Sequence, residues 1–192
     1  MAKLYFRYGV VGSAKTLNLL AVAHNYEQQG KRVLVLKPEL DTRFGRELVR
    51  SRAGLRRNAD ILVNEETDLN FGRFEGVSCV LADEAQFLPI RTIDQLRELT
   101  WRCDIPAICY GLRTDFRTRA FEASQRLLEV ADSIEEIKIS CNFCNDKAVF
   151  NLKHRGGVAS ADGPTIELGA EEKFLPACCR CYREQLEPGL RP

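Results

Sequence analysis

The feature that most limits the possible folds of this chain is an eight-residue turn near its start. The turn follows a predicted strand at residues 3–8 and opens a predicted helix at residues 16–29, which Gly30 ends. Backbone N–H groups in such a turn point at phosphate oxygens, and the helix N-terminus adds partial positive charge. The pattern predicts a phosphate-binding loop made of Gly9, Val10, Val11, Gly12, Ser13, Ala14, Lys15 and Thr16.

The last residues of this turn have separate expected roles. Lys15 is expected to reach the β- and γ-phosphates of ATP, and the Thr16 hydroxyl to bind Mg²⁺. Ala14 departs from the usual pattern, which has glycine immediately before the lysine. A methyl group there crowds the phosphate or disfavours the backbone geometry of the turn. We therefore expect Ala14→Gly to preserve or raise activity.

Strands and helices alternate over the first 140 residues. Apolar strands are predicted at residues 31–38, 59–65, 77–84 and 105–112, and amphipathic helices at 92–103 and 121–132. This order predicts an α/β fold of the P-loop NTPase type, in which helices flank a parallel sheet. We interpret the polar, arginine-rich segment 39–60 as a long, mobile loop, and we assign residues 1–140 to one core domain.

Two acidic residues, Asp83 and Glu84, end an apolar strand. In P-loop proteins a carboxylate at this point holds Mg²⁺, which suits Asp83. Glu84 would then face the group that attacks the γ-phosphate. That group is either water or a substrate hydroxyl, so these residues alone leave both an ATPase and a kinase open.

The cysteines are concentrated near the end of the chain. Five of the eight lie after residue 140, and four of them form Cys141-x-x-Cys144 and Cys178-x-x-Cys181. This spacing predicts a closed, structural Zn²⁺ site. Cys179 is an alternative ligand, but its separation from Cys181 is too short for a pair. We assign residues 141–192 to a small zinc ribbon with antiparallel strands near 147–155 and 164–169.

The bulk composition excludes several classes of function. The net charge is +1, which argues against a nucleic-acid partner. No apolar run approaches the roughly 20 residues that a membrane span requires. The first residues, MAKLYFRYG, lack a signal-peptide pattern. We therefore expect a cytoplasmic protein that binds neither nucleic acid nor a membrane.

Taken together, these motifs resemble the thymidine kinases found in many bacteria and in animal cytosol. The resemblance covers nearly the whole chain. Besides the turn and the cysteine pairs, it rests on the segments Asp41-Thr42-Arg43, Asp83-Glu84-Ala85-Gln86-Phe87, and Tyr110-Gly111-Leu112-Arg113-Thr114-Asp115-Phe116-Arg117, and on Phe121. The second and third of these segments, combined with both cysteine pairs, are quite specific to that family.

The resemblance implies a role for each matching residue. It implies that Glu84 is the general base, and that Asp41 and Arg43 lie near the phosphates. The segment from Thr165 to Phe174 would fold over the nucleoside as a lasso that reads the base mainly through its backbone. The apolar wall around the thymine and deoxyribose would consist of Val11, Phe87, Leu112, Phe116 and Phe121, with Phe174 from the lasso.

The resemblance also implies an activity and its regulation. The expected reaction is transfer of the γ-phosphate of ATP to the 5′-hydroxyl of thymidine, with deoxyuridine as a second acceptor, in nucleoside salvage for DNA synthesis. Expected cofactors are ATP, Mg²⁺ and a structural Zn²⁺. A homotetramer and feedback inhibition by thymidine triphosphate are implied as well.

Two rival hypotheses remain. DEAQ at residues 83–86 also occurs in helicase motifs, but a nucleic-acid-dependent ATPase needs two ATPase lobes and 192 residues supply one. A non-catalytic nucleotide sensor would account for Ala14, but not for the retained Lys15, Thr16 and Glu84. Phosphorylation of thymidine with ATP and Mg²⁺ separates all three hypotheses.

Overall fold

The computed structural model describes residues 1–164 and 174–187. The strands are β1 (Leu4–Tyr8), β2 (Arg32–Pro38), β3 (Leu48–Arg50), β4 (Arg56–Asn58), β5 (Ile61–Val63), β6 (Val77–Ala82), β7 (Ala107–Gly111), β8 (Ser133–Glu136), β9 (Phe150–Arg155), β10 (Val158–Ala159) and β11 (Phe174–Ala177). The α-helices are α1 (Lys15–Gln28), α2 (Ile90–Arg102), α3 (Glu122–Val130) and α4 (Cys179–Leu186). None of these helices has the length and hydrophobicity that a membrane span requires.

A parallel sheet of six strands forms the centre of the molecule, in the order β5-β2-β6-β7-β1-β8. Successive side chains of a strand face opposite sides, so each strand feeds two apolar layers. In β2, Val33 and Val35 pack on the α1 side, whereas Leu34 and Leu36 pack on the side of α2 and α3. The predicted α/β fold with helices on both faces of a parallel sheet is confirmed. Helix α1 ends as expected, with Gly30 at a φ of +69°.

The segment 39–60 differs from its prediction. Instead of a continuous long loop, it contains the antiparallel pair β3–β4, which we call the arginine hairpin (residues 48–58). Val49 is only 1% exposed and packs in the apolar layer beside α1. Lys37, buried in β2, donates hydrogen bonds from Nζ to the carbonyls of Gly45 (3.0 Å) and Leu48 (2.9 Å). Val49 and Lys37 thus help to attach the hairpin to the sheet.

Beyond residue 140 the structure changes to a small antiparallel ribbon, with β9 between β10 and β11. Helix α4 follows β11 and was not predicted. Most of the expected strand at 164–169 lies outside the described residues. A separate apolar cluster includes Leu152, Ala177 and Tyr182 together with three of the cysteines. The domain boundary near residue 140 stays a prediction.

Candidate active site

The turn between β1 and α1 is compact because of Gly9. A Cβ atom at Gly9 would lie 2.3 Å from the Oγ atom of Ser13 and 2.6 Å from the carbonyl oxygen of Ile137, so only glycine fits. The Gly9 N–H donates to the carbonyl of Gly111 on β7 at 3.2 Å. These contacts fix the start of the turn against the carboxyl end of the sheet, which is where ligands of open α/β sheets bind.

Ala14 adopts a left-handed backbone conformation, with φ 61° and ψ 26°, immediately before α1. A residue with a Cβ atom is disfavoured there by roughly 1–2 kcal/mol. Gly12, at φ +81°, has the residue type that its conformation favours. The departure noted in the sequence therefore corresponds to local backbone strain at the helix start.

Lys15 and Thr16 lie on the first turn of α1, at the inner side of the loop. The Lys15 Nζ atom donates to the carbonyls of Gly9 (3.1 Å) and Val10 (2.8 Å) and is mostly buried. The Thr16 Oγ1 atom lies 3.2 Å from each carboxylate oxygen of Asp83, which directly follows β6. Hydroxyl and carboxylate oxygens are the ligands that Mg²⁺ prefers, so this pair suits the ion.

Four charged side chains cluster at the ends of β2 and β6, where Asp41, Asp83 and Glu84 are buried and Arg43 is half-buried. Arg43 contacts Asp41 at 2.6 Å (Nε to Oδ1) and Glu84 at 2.6 Å (Nη2 to Oε1). Burial would raise the pKa of Glu84, but the positive charges of Arg43 and Lys15 outweigh it and hold that pKa below its usual value. Burial and the adjacent Glu84 raise the pKa of Asp83 to about 7. The lowered pKa keeps the Glu84 carboxylate ionised at neutral pH.

Gln86 positions Glu84, a role that we did not predict. Its Nε2 atom donates to the Oε2 atom of Glu84 at 2.6 Å, and its Oε1 atom accepts from the Leu112 N–H at 2.9 Å. A Cβ atom at Gly111 would lie 2.8 Å from that Oε1 atom, so the approach requires glycine. Glu84 itself has a strained left-handed backbone, at φ 48°, and such a conformation persists only where surrounding contacts fix it. The hydrogen bond from Gln86 holds its carboxylate in one orientation.

A cavity of about 270 Å³ joins these charged groups to an apolar wall. The rings of Phe87 and Phe121 meet edge to face, with centroids 5.5 Å apart, and those of Phe116 and Phe174 lie 6.0 Å apart. The predicted site residues that line the cavity are Val11, Gly12, Ser13, Ala14, Lys15, Thr16, Asp41, Arg43, Asp83, Glu84, Phe87, Leu112, Phe116, Phe121 and Phe174. Thr165 lies outside the described residues.

The ribbon reaches this cavity through Asn151 on β9, which the sequence reasoning missed. Its Oδ1 atom accepts from the Val11 N–H at 2.8 Å, and its Nδ2 atom donates to the Thr114 carbonyl at 3.3 Å. Asn151 is 4% exposed, so both hydrogen bonds are shielded from water. One amide thus connects the ribbon to the phosphate-binding turn and to the segment after β7.

The four predicted metal ligands lie together in the ribbon. The Sγ atoms of Cys141, Cys144, Cys178 and Cys181 are all within 4.8 Å of one another. Those of Cys144 and Cys178 are 3.6 Å apart. Sulfur atoms around a tetrahedral Zn²⁺ are about 3.8 Å apart, as follows from a Zn–S distance of about 2.3 Å. Cys179, the alternative ligand, is exposed on α4.

Comparison with known proteins gives consistent matches. The family model described as thymidine kinase matches residues 2–182. A thymidine kinase of Streptococcus gordonii is 40% identical over 186 residues, which cover 95% of this chain and 96% of that protein. Thymidine kinases of Streptococcus pyogenes serotype M28 (40% over 184 residues) and Streptococcus agalactiae serotype Ia (39% over 186 residues) each cover 95% of this chain and 97% of their own length.

Proposed function

Because the chain belongs to the thymidine kinase family, we propose that it transfers the γ-phosphate of ATP to the 5′-hydroxyl of thymidine, giving thymidine 5′-monophosphate and ADP. One observation carries this function. A single cavity is lined by the turn before α1, the buried carboxylate of Glu84 and an apolar wall of aromatic side chains. Both substrates of a phosphoryl transfer can therefore meet in one site.

The phosphate end of the cavity is suited to a triphosphate. Turn backbone N–H groups and the N-terminus of α1 would hold the β- and γ-phosphates, and Lys15 would exchange its carbonyl partners for phosphate oxygens. Thr16 and Asp83 would hold Mg²⁺, which when bound neutralises charge on the β- and γ-phosphates. Arg43, held beside Glu84, would stabilise charge on the transferred group.

Glu84 is the proposed base. The proton of the 5′-hydroxyl passes to its carboxylate, and the freed oxygen forms a bond to the γ-phosphorus. The bond from that phosphorus to the bridging oxygen then breaks, which leaves ADP. The lowered pKa of Glu84 supports this role, since it keeps the carboxylate ionised before the reaction. Gln86 keeps the same carboxylate oriented.

The apolar wall supports a thymine-binding role. Phe87 and Phe121 would pack beside the deoxyribose and base, and Phe116 and Phe174 would enclose the rest of the ring. Val11 and Leu112 leave the area around a 5-methyl group apolar. The base-reading backbone implied by the family resemblance lies largely at 165–173, outside the described residues.

The ribbon has a proposed structural role. Four thiolates at tetrahedral spacing leave no open position, so Cys141, Cys144, Cys178 and Cys181 would hold Zn²⁺ without taking part in the reaction. The ion would join the segment before β9 to the start of α4 and so help to keep Asn151 and Phe174 in the cavity. A cytoplasmic location, a homotetramer, use of deoxyuridine and inhibition by thymidine triphosphate stay predictions.

Comparison of two acceptors tests the substrate. We expect thymidine to be phosphorylated efficiently with ATP and Mg²⁺, and deoxycytidine at least about tenfold less efficiently. Cytosine presents an amino group and an unprotonated ring nitrogen to groups arranged for thymine, and each unpaired buried polar group costs about 1–3 kcal/mol. Equal kcat/KM values for both nucleosides would contradict the choice of thymidine but not the kinase reaction.

A further inference from the structure

The arginine hairpin forms one side of the cavity, next to the turn before α1. Its residues 49–53 line the same cavity as Lys15 and Thr16. At the hairpin tip, the Nη1 atom of Arg52 lies 3.9 Å from the position that a Cβ atom on Gly12 would occupy. The guanidinium therefore lies against the backbone of the phosphate-binding turn.

The position of Arg52 follows from a packed support. Val49, three residues before it, is buried in the layer beside α1. The tip is closed by the Ser51 N–H, which donates to the Leu55 carbonyl at 2.9 Å. Arg57, on the second strand, forms an ion pair with Glu27 near the end of α1. Val49 and Arg57 thus attach both strands of the hairpin to the core. The tip between these strands lies beside the turn before α1.

The position of its guanidinium, next to Gly12, distinguishes Arg52 from the other two arginines that line the cavity. Arg43 is held by two carboxylates, Asp41 and Glu84, on the acidic side of the cavity. Arg50 also lines the cavity, but its guanidinium lies over the ring of Phe44, 5.6 Å from the ring centroid. Arg52 projects from the tip toward the turn where phosphates would bind, and a planar guanidinium can donate two hydrogen bonds to one phosphate.

We propose that Arg52 is an additional ATP-binding residue, whose guanidinium contacts the triphosphate from the hairpin side while the turn and Lys15 hold it from below. This inference rests on the proposed function only in taking ATP as the phosphate donor. The hairpin then acts as the second wall of the triphosphate site. The segment 39–60, interpreted from sequence as a loop, would carry phosphate ligands at two points, Arg43 and Arg52.

Substitution of Arg52 tests the proposal, with Arg56→Ala as the matched control. Arg56 is exposed on the same hairpin, opposite Arg50. ATP binding in the presence of Mg²⁺ is measured by calorimetric titration without thymidine, and KM values for both substrates are measured in the kinase assay. We expect Arg52→Ala to weaken ATP binding by about tenfold or more, Arg52→Lys to weaken it less, and Arg56→Ala to leave it unchanged. The KM for thymidine should stay the same in all three.

Two results would overturn the role of Arg52. One is ATP affinity in Arg52→Ala equal to that in Arg56→Ala. The other is a parallel rise in KM for ATP and thymidine, which indicates a distorted site. A wild-type protein that binds ATP but does not phosphorylate thymidine would contradict the proposed function instead, and the ATP titrations would still decide the role of Arg52.

Discussion

The α/β core and the ribbon are stabilised in different ways. The core buries aliphatic side chains in two layers, one on each face of a six-stranded sheet. Within residues 141–164 and 174–187 of the ribbon, the buried cluster has six members, and three of them are cysteines. A segment with so little apolar burial needs another source of folding free energy, and a structural Zn²⁺ can supply it. Under the proposed function, the reaction and the enclosure of the substrate would therefore have separate supports, since Glu84 belongs to the core and Phe174 to the ribbon.

Loss of one thiolate ligand should have the largest effect, because it removes the metal ion that supports the ribbon. We expect Cys181→Ser to reduce zinc content from about one ion per chain to a small fraction, and thymidine phosphorylation to be lost with it, because structural sites supply about 10–16 kcal/mol of apparent binding free energy. Metal analysis and activity assays on the same preparation measure both. The ATP affinity of the core should change much less.

Cys179→Ser is the matched control, since Cys179 is exposed beside the cluster. It should retain both zinc and activity. If Cys179→Ser lost the metal while Cys181→Ser kept it, our ligand choice in the second pair would be wrong. If Cys181→Ser lost the metal and kept full activity, the ribbon would not be needed to enclose the substrate.

Asn151, one of several hydrogen-bonding connections between the two regions, should give an intermediate effect when it is replaced. Asn151→Leu removes both hydrogen bonds of the amide and leaves the Val11 N–H and the Thr114 carbonyl unpaired. Each unpaired buried group costs about 1–3 kcal/mol. We expect kcat/KM for ATP and thymidine to fall by about tenfold or more, with zinc content unchanged. Asn142→Leu, at an exposed position of the same ribbon, should behave as wild type. Equal kinetics for both variants would exclude Asn151 as a connection.

The smallest effect is expected inside the core, at Ala14. Ala14→Gly removes the strain of a left-handed alanine but increases the freedom of the unfolded chain. We expect a net stabilisation of about 1 kcal/mol, which raises Tm by about 2–4 °C in a protein of this size. The KM for ATP should stay the same or fall.

Ala21→Gly provides the opposite case, because Ala21 is exposed in the middle of α1. There glycine costs about 0.5–1 kcal/mol, so Tm should fall. A fall in Tm for both variants, or a severalfold rise in KM for ATP in Ala14→Gly, would show that the turn is adapted to alanine.

Most of the core could be predicted from sequence because its elements have strong local patterns. Apolar runs such as residues 77–82 and amphipathic helices such as 92–102 specify their own type, and their alternation specifies a parallel sheet. The arginine hairpin was missed because its strands are three residues long and mostly polar. Val49, the apolar side chain that anchors the hairpin in the core, is not part of a periodic apolar pattern in the sequence. Helix α4 was missed because cysteines and charges dominate its eight residues.

The site was predictable where chemistry follows a local motif. The turn before α1, the Asp83-Glu84 pair and the paired cysteines could be recognised from spacing, and the structure brings each set together. Gln86 and Asn151 act through contacts between residues 26 and 140 positions apart, which no local pattern records. One sequence feature could have indicated the role of Gln86, namely its place inside the segment that carries Glu84. Asn151 had none.

The most direct measurement follows labelled phosphate from [γ-³²P]ATP in wild type and in Glu84→Gln. In wild type, label should pass to thymidine 5′-monophosphate, and little should appear as inorganic phosphate when thymidine is absent. In Glu84→Gln, which keeps the size of the side chain but replaces one of its two accepting oxygens with an NH2 group, transfer should be about 10²- to 10⁴-fold slower, while thymidine and ATP still bind. Near-normal transfer in the variant, or release of inorganic phosphate regardless of thymidine, would contradict a thymidine kinase that uses Glu84 as its base.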